Sequence, residues 1–152
     1  MEKKNSIIIG SGVIGSYLAK LLLSKKHKVI VTSRKTKKHY TNYNKLNIEN
    51  RIIFEKLDVL KKQQISKILK KYSPNNIFYF SGQSSLVKSI KLKKTTNDSN
   101  YIGAKNFLEI LHRYKIKSKF YKANSGYIFD QKNGLINLNS KFSKNNNPYI
   151  QS

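Results

Sequence analysis

The 152-residue sequence contains no cysteine and no tryptophan, two prolines, and only seven acidic residues. Without cysteine it has no disulfide, no thiolate metal ligand and no Cys nucleophile. Its three histidines, His27, His39 and His112, show no ligand-like spacing, which argues against a structural zinc site. Long uninterrupted apolar runs are also missing. Residues 7–23, after Lys3 and Lys4, have the outward form of a signal peptide, but Lys20 and three glycines interrupt them. No small-residue cleavage site follows, and the run is shorter than a bilayer span. The expectation is a cytoplasmic chain with no membrane partner.

What is abundant is positive charge. Lys and Arg number 31 against 7 acids, so the formal charge is 31 − 7 = +24. Of these bases 28 are Lys and 3 are Arg (Arg34, Arg51, Arg113), and Asn reaches 17. Lys, Asn and Ile together point to an AT-rich coding bias. A dedicated reader of phosphates or bases would use more Arg, whose planar fork matches those groups. The lysines also run along the whole chain and form no stripe. They are read as a solvated surface, with nucleic acid an unlikely partner.

Apolar content of 38% over this length is enough for one buried core. Short apolar runs at residues 6–9, 29–31, 52–57, 77–80 and 120–123 read as strands. Ile14, Leu18, Leu21 and Leu22 recur at helical spacing after the first run. Ile65, Ile68, Leu69 and Tyr72 do so over residues 61–72, and Tyr101, Ala104, Leu108 and Leu111 over residues 96–114. Residues 33–50 are polar, with room for one short helix. The tail after Ser125 is polar until Pro148, which suits a first helical position. Strands that are short, nearly all apolar and alternate with helices form a buried parallel sheet covered on both faces. The fold class is therefore α/β, a doubly wound parallel sheet of the Rossmann type spanning residues 1–152.

Gly10-Ser11-Gly12-Val13-Ile14-Gly15 is G-x-G-x-x-G, placed after the first strand and opening the first helix. Gly10 makes the tight turn, Gly12 lets backbone approach a pyrophosphate, and Gly15 allows close helix–strand packing. Val13 and Ile14 supply helix N-terminal N–H groups to the anion. An NAD site usually carries Asp or Glu about 20 residues later, at the end of the second strand. Here Thr32-Ser33-Arg34-Lys35 stands there, and no acid lies between Glu2 and Glu49. Ser33 and Arg34 suit a 2′-phosphate, so NADP is expected over NAD.

Four further segments resemble the extended short-chain dehydrogenase/reductase family, the sugar-nucleotide epimerases and dehydratases. Leu57-Asp58-Val59 resembles the end of the third strand, whose Asp58 meets adenine. Tyr79-Phe80-Ser81-Gly82-Gln83-Ser84 is similar to N-L-A-A-Q-S, whose small residues let backbone lie against the cofactor. Asn100-Tyr101-Ile102-Gly103-Ala104 resembles N-x-x-G-T. Phe120-Tyr121-Lys122-Ala123-Asn124-Ser125 resembles the F-Y-x-A-S-[ST] of the GDP-mannose 4,6-dehydratase branch. The resemblance implies NADP held by Gly10, Gly12, Val13, Ile14, Gly15, Ser33, Arg34, Asp58, Val59, Phe80, Ser81, Gly82 and Ser84. It also implies a nucleotide-sugar substrate of the GDP-mannose kind and is compatible with a homo-oligomer.

In that family a Ser or Thr after strand five works with a Tyr-x-x-x-Lys. Ser125 takes the first place, and Tyr149-Ile150-Gln151-Ser152 resembles the start of the second. The sequence stops where the Lys would come, so the expectation is a chain truncated before its substrate-binding part and inactive alone. A free Tyr has a pKa of about 10 and is only about one part in 1,000 ionised at pH 7; the family's Lys lowers that value so that the phenolate can take a hydroxyl proton. Where the dehydratases place a Glu base, this chain has Tyr127, which leaves oxidation and reduction at sugar C4 but puts elimination in doubt. The rival reading is a non-catalytic NADP-binding module, or degenerate gene product, whose basic surface contacts nucleic acid or anionic lipid.

Overall fold

The computed structural model describes residues 4–34, 41–130 and 134–152. Five parallel strands, β1 (Asn5–Ile9), β2 (Lys28–Ser33), β3 (Ile53–Lys56), β4 (Asn76–Tyr79) and β5 (Lys119–Lys122), form one sheet in the order β3-β2-β1-β4-β5. The helices are α1 (Val13–Ser24), α2 (Thr41–Lys45), α3 (Lys62–Tyr72), α4 (Leu86–Lys91), α5 (Lys93–Asn97), α6 (Gly103–Arg113) and α7 (Pro148–Gln151). This is the doubly wound sheet expected from the alternation of elements.

Register follows from the period-two alternation of strand side chains. Ile7 pairs with Ile30 on one side and Ile77 on the other, and Ile77 with Phe120. Ile7, Ile9 and Ile77 bury against α3 and α6, through Ile65, Ile68, Leu69, Phe107 and Ile110. Ile8, Val29 and Val31 bury on the opposite face with Ala19, Leu22, Leu23 and Tyr43. A central strand buried on both faces has no polar side to show, which is why β1 reads as an unbroken apolar run.

The α3 periodicity holds in full, since Ile65, Ile68, Leu69 and Tyr72 are all buried. In α1 the helix is where the spacing puts it, but the face differs. Gly15, Ser16, Ala19, Leu22 and Leu23 are buried, while Ile14 and Leu21 stand 69% and 52% exposed. Small residues turn inward because the helix lies tightly on the sheet: a Cβ at Gly15 would sit 2.6 Å from the Gly10 carbonyl oxygen. The long helix is likewise rotated. Ala104 and Leu111 are buried, Tyr101 and Leu108 are exposed, and a π-helical turn at Asp98–Ile102 joins α5 to α6. Helix α4 is an addition to the sequence reading; Ser85 caps it, its side chain accepting the Lys88 N–H at 3.2 Å.

Candidate functional site

After β2 and β3 are laid to one side of β1, β4 returns to its other side, so the carboxyl ends of β1 and β4 splay around a crevice. The loops that follow them meet there. Gly10 has φ +105°, a conformation that L side chains rarely adopt, and a Cβ on it would come within 3.0 Å of the Phe80 carbonyl and the Ser81 nitrogen. Gly12 is the N-cap of α1, no side chain caps that terminus, and its Cβ position meets nothing within 4 Å. The helix N-terminus therefore faces open space with its first N–H groups available. A helix N-terminus that opens on free space, with no side chain over it, fits a pyrophosphate.

The crevice opens into a cleft of about 550 Å³, lined among others by Gly10, Gly12, Ser33, Arg34, Val59, Phe80, Ser81 and Gly82. Among the described residues that line it there is no Asp or Glu, and Arg34 is the one cation. The loop after β4 also walls a second cavity of about 250 Å³, lined among others by Ile14, Ser84, Asn100, Lys122, Asn124, Ser125 and Tyr149. Of the expected residues, Val13 projects to solvent, Gly15 packs beneath the loop, and Asp58 turns its carboxylate to the Leu60 N–H at 3.0 Å. Those three do not line either cavity.

Ser125 and Tyr149 reach the same cavity from distant parts of the chain. Ser125 caps a 3-10 turn over Gly126–Ile128, its Oγ accepting the Tyr127 N–H at 3.3 Å, and among the described residues its own proton has no acceptor. Tyr149 is placed by the Asn147-Pro148 start of α7: Asn147 Oδ1 accepts the Tyr149 N–H at 2.9 Å and the Ser89 hydroxyl of α4, also at 2.9 Å. Tyr127 is half exposed and outside the cavity lining, so the place where dehydratases carry a Glu contributes no carboxylate here.

Asn100 holds the loop after β4. Its Oδ1 accepts the Gln83 N–H at 2.8 Å and its Nδ2 donates to the Gln83 carbonyl at 3.1 Å. A Cβ at Gly82 would fall 2.6 Å from that Oδ1, so Gly82 is what lets Asn100 close on the backbone. Neighbouring Tyr79 is buried and donates its hydroxyl to the Ser99 carbonyl at 2.5 Å. Burial pushes its phenol well above the usual tyrosine range, which marks it as structural. Asn100, Gln83, Asn124 and Lys122 are site residues beyond those expected; the N-x-x-G-T likeness carried a signal for Asn100, and Lys122 occupies the variable place in F-Y-x-A.

A family model described as GDP-mannose 4,6 dehydratase matches residues 7–152. The chain belongs to that family. A GDP-mannose 4,6-dehydratase of Vibrio cholerae is 26% identical over 136 residues, covering 84% of this chain and 37% of that protein. A dTDP-glucose 4,6-dehydratase of Haemophilus influenzae is 28% identical over 108 residues, covering 69% of this chain and 32% of its own length. This member of the GDP-mannose 4,6-dehydratase family thus spans about a third of the length of those relatives. Its fold is shared with a UDP-glucose 4-epimerase from Brucella ovis crystallised with NAD, at TM-score 0.83 and 19% identity over 97% of this chain and 44% of that one. The UDP-Glc/GlcNAc 4-epimerase of Campylobacter jejuni gives TM-score 0.85 at 17% identity, over 97% and 45%. No helix among the described residues is long and apolar enough to cross a membrane.

Proposed function

We propose that this chain is the dinucleotide-binding part of a nucleotide-sugar dehydratase or epimerase, with NADP as its dinucleotide and C4 of a GDP-mannose-like sugar as its reacting centre. The observation that carries the reading is that the glycine cradle opens into one cleft whose far wall, the loop after β4, also bounds the cavity where Ser125 and Tyr149 meet. Gly10, Gly12 and the α1 N-terminus would hold the pyrophosphate, and Arg34, with Ser33, the 2′-phosphate. The absence of a carboxylate among the described lining residues favours NADP, because such a group would repel the 2′-phosphate. When bound, the dinucleotide supplies a nicotinamide that takes a hydride from carbon and returns it.

Two hydroxyls of this chain would act on the sugar. Ser125 donates its free hydroxyl proton to the sugar C4 oxygen and fixes its position. Tyr149, in the same cavity, would take the C4 hydroxyl proton in a chain that carries the family's Lys to make it a phenolate. With Tyr127 turned to solvent, oxidation and reduction at C4 are better supported than elimination. Fluorescence titration tests the cofactor reading: NADPH should bind more tightly than NADH, and Arg34→Ala should remove the difference. Equal affinities in the unaltered chain would overturn the NADP assignment.

A further inference from the structure

Three consecutive asparagines, Asn145, Asn146 and Asn147, stand directly before α7, in a chain whose Asn content alone reads as coding bias. In the fold each has a defined partner. Asn145 Oδ1 accepts the Asn147 N–H at 2.9 Å, and Asn146 Oδ1 accepts from the Gln151 amide at 3.1 Å. Asn147 does more. It is the N-cap of α7, its Oδ1 accepting the Tyr149 N–H at 2.9 Å. The same oxygen lies 2.9 Å from the hydroxyl of Ser89 on α4, 58 residues away in sequence.

The Tyr149 N–H can only donate, which fixes the Asn147 amide with its oxygen toward Tyr149 and its nitrogen toward the Leu86 carbonyl, 3.5 Å away. Ser89 Oγ also lies 2.6 Å from that carbonyl, so its one proton faces two acceptors and Ser89 has to act as the donor. Ser89 is fully buried, and water does not compete for the bond. Helix α7 itself has only four residues. A single turn does not hold its own shape, because fixing it costs more than its hydrogen bonds return. Its placement comes from its neighbours α4 and α5, and Asn147 supplies side-chain hydrogen bonds to α4. Helix α4 in turn starts from the loop after β4: Gln83, which lines both cavities, accepts the N–H of the α4 cap Ser85 at 3.0 Å through its Oε1.

We propose that Asn147 is a positioning residue for Tyr149: through Ser89 it fixes the phenol to α4, and so to the loop against which the dinucleotide would lie. This rests on the reading of Tyr149 as a group that acts on the sugar. Displacing a reacting group by about 1 Å can cost about 100-fold in rate, so a phenol carried on one helical turn needs an external reference.

NMR of the 152-residue chain, with nitrogen-15 relaxation of the amides and a fluorotyrosine at position 149, tests this. In the unaltered chain the Tyr149 amide should have an order parameter of about 0.85, as a rigid backbone does, and NADPH should shift the fluorine resonance. Ser89→Ala removes only the tie, since alanine is the better helix former and the cap of α7 stays. It should bring the Tyr149 order parameter below about 0.6 and cut the fluorine shift by half or more. The amides of Lys88 and Ile90 should stay rigid, and the NADPH response of Gly10–Gly15 should not change. Asn147→Ser, which keeps a cap but is too short to reach Ser89, should do the same. Asn147→Asp, whose carboxylate still accepts both donors, should restore most of both signals. A Ser89→Ala chain that matches the unaltered one, an Asn147→Asp chain as loose as Asn147→Ser, or a Tyr149 amide already below about 0.6 in the unaltered chain would overturn the proposal. The two readings fail separately. No NADPH response at Gly10–Gly15 overturns the cofactor assignment and leaves the relaxation data to decide on Asn147, whereas a normal response there with Tyr149 undisturbed in Ser89→Ala sinks the Asn147 role alone.

Discussion

Replacing Gly12 and Gly15 by alanine separates what the glycine loop does for folding from what it does for a ligand. Gly12 has φ −70° and ψ −174°, a conformation open to alanine, and its Cβ would meet nothing within 4 Å. Alanine is the poorer N-cap by roughly 0.5 kcal/mol, and its stiffer unfolded chain returns about as much. Gly12→Ala should therefore leave stability unchanged within about 0.5 kcal/mol. Gly15→Ala pushes a methyl to 2.6 Å from the Gly10 carbonyl oxygen, which belongs to backbone and cannot swing aside. Overpacking of that kind costs about 1–3 kcal/mol, or roughly 2–12 °C of Tm at this chain length. Binding should rank the other way for Gly12. Its methyl occupies the cradle and removes at least one N–H···phosphate bond, worth about 1.5–3 kcal/mol, so NADPH affinity should fall about 10- to 150-fold. Thermal unfolding by circular dichroism and NADPH fluorescence titration give both numbers. A Gly12→Ala chain as destabilised as Gly15→Ala, or one that binds NADPH normally, would refute the cradle geometry.

Three further outcomes are expected. Asn100→Ala should loosen the loop after β4, because both of its hydrogen bonds to Gln83 go; hydrogen exchange at the Gln83 amide should rise about tenfold or more, as fits the loss of 1.4 kcal/mol or more of protection. His27, whose ring nitrogen Nδ1 lies 2.8 Å from Ser6 Oγ, should titrate below 6.5 by NMR, lowered by burial and by Lys4 and Lys25. Its folded pKa is depressed, so the stability it contributes is present above pH 6.5 and is lost as pH falls through the folded value; His27→Gln should flatten that part of the stability–pH curve. In the tail, the amides of residues 134–147 should exchange far faster than those of β1 and β4, whose ladders are buried; strong protection throughout would make the tail part of the core.

The sheet was legible because β1 and β2 are buried on both faces, and β4 on one with the other partly covered, so none can hide its apolar run. The phosphate loop was legible because three glycines at that spacing have a separate steric reason each. The inward faces of α1 and α6 were not. Counting large apolar residues picks out Ile14, Leu21, Tyr101 and Leu108, yet a helix that touches backbone must turn its small residues inward. Gly103 is the plainest case: a Cβ there would come within 2.2 Å of the Tyr79 hydroxyl and 2.6 Å of Val59. The pairing of Phe129 with Phe142, stacked at 5.5 Å between ring centroids, is set by contacts across an irregular segment that carries no period. Lys122 was hidden by composition, since in a chain with 28 lysines one that lines a cavity has no signature until its place on β5 is known.

Amide NMR of the labelled chain titrated with NADPH tests the central claim, a dinucleotide bound at the switch point of this sheet. The shifts should be saturable and confined to Gly10–Gly15, Ser33–Arg34, Val59 and Ser81–Ser84. Saturable binding that instead maps to the opposite end of the sheet, around Lys4 and Lys117–Lys119, or no saturable binding at all, would contradict it.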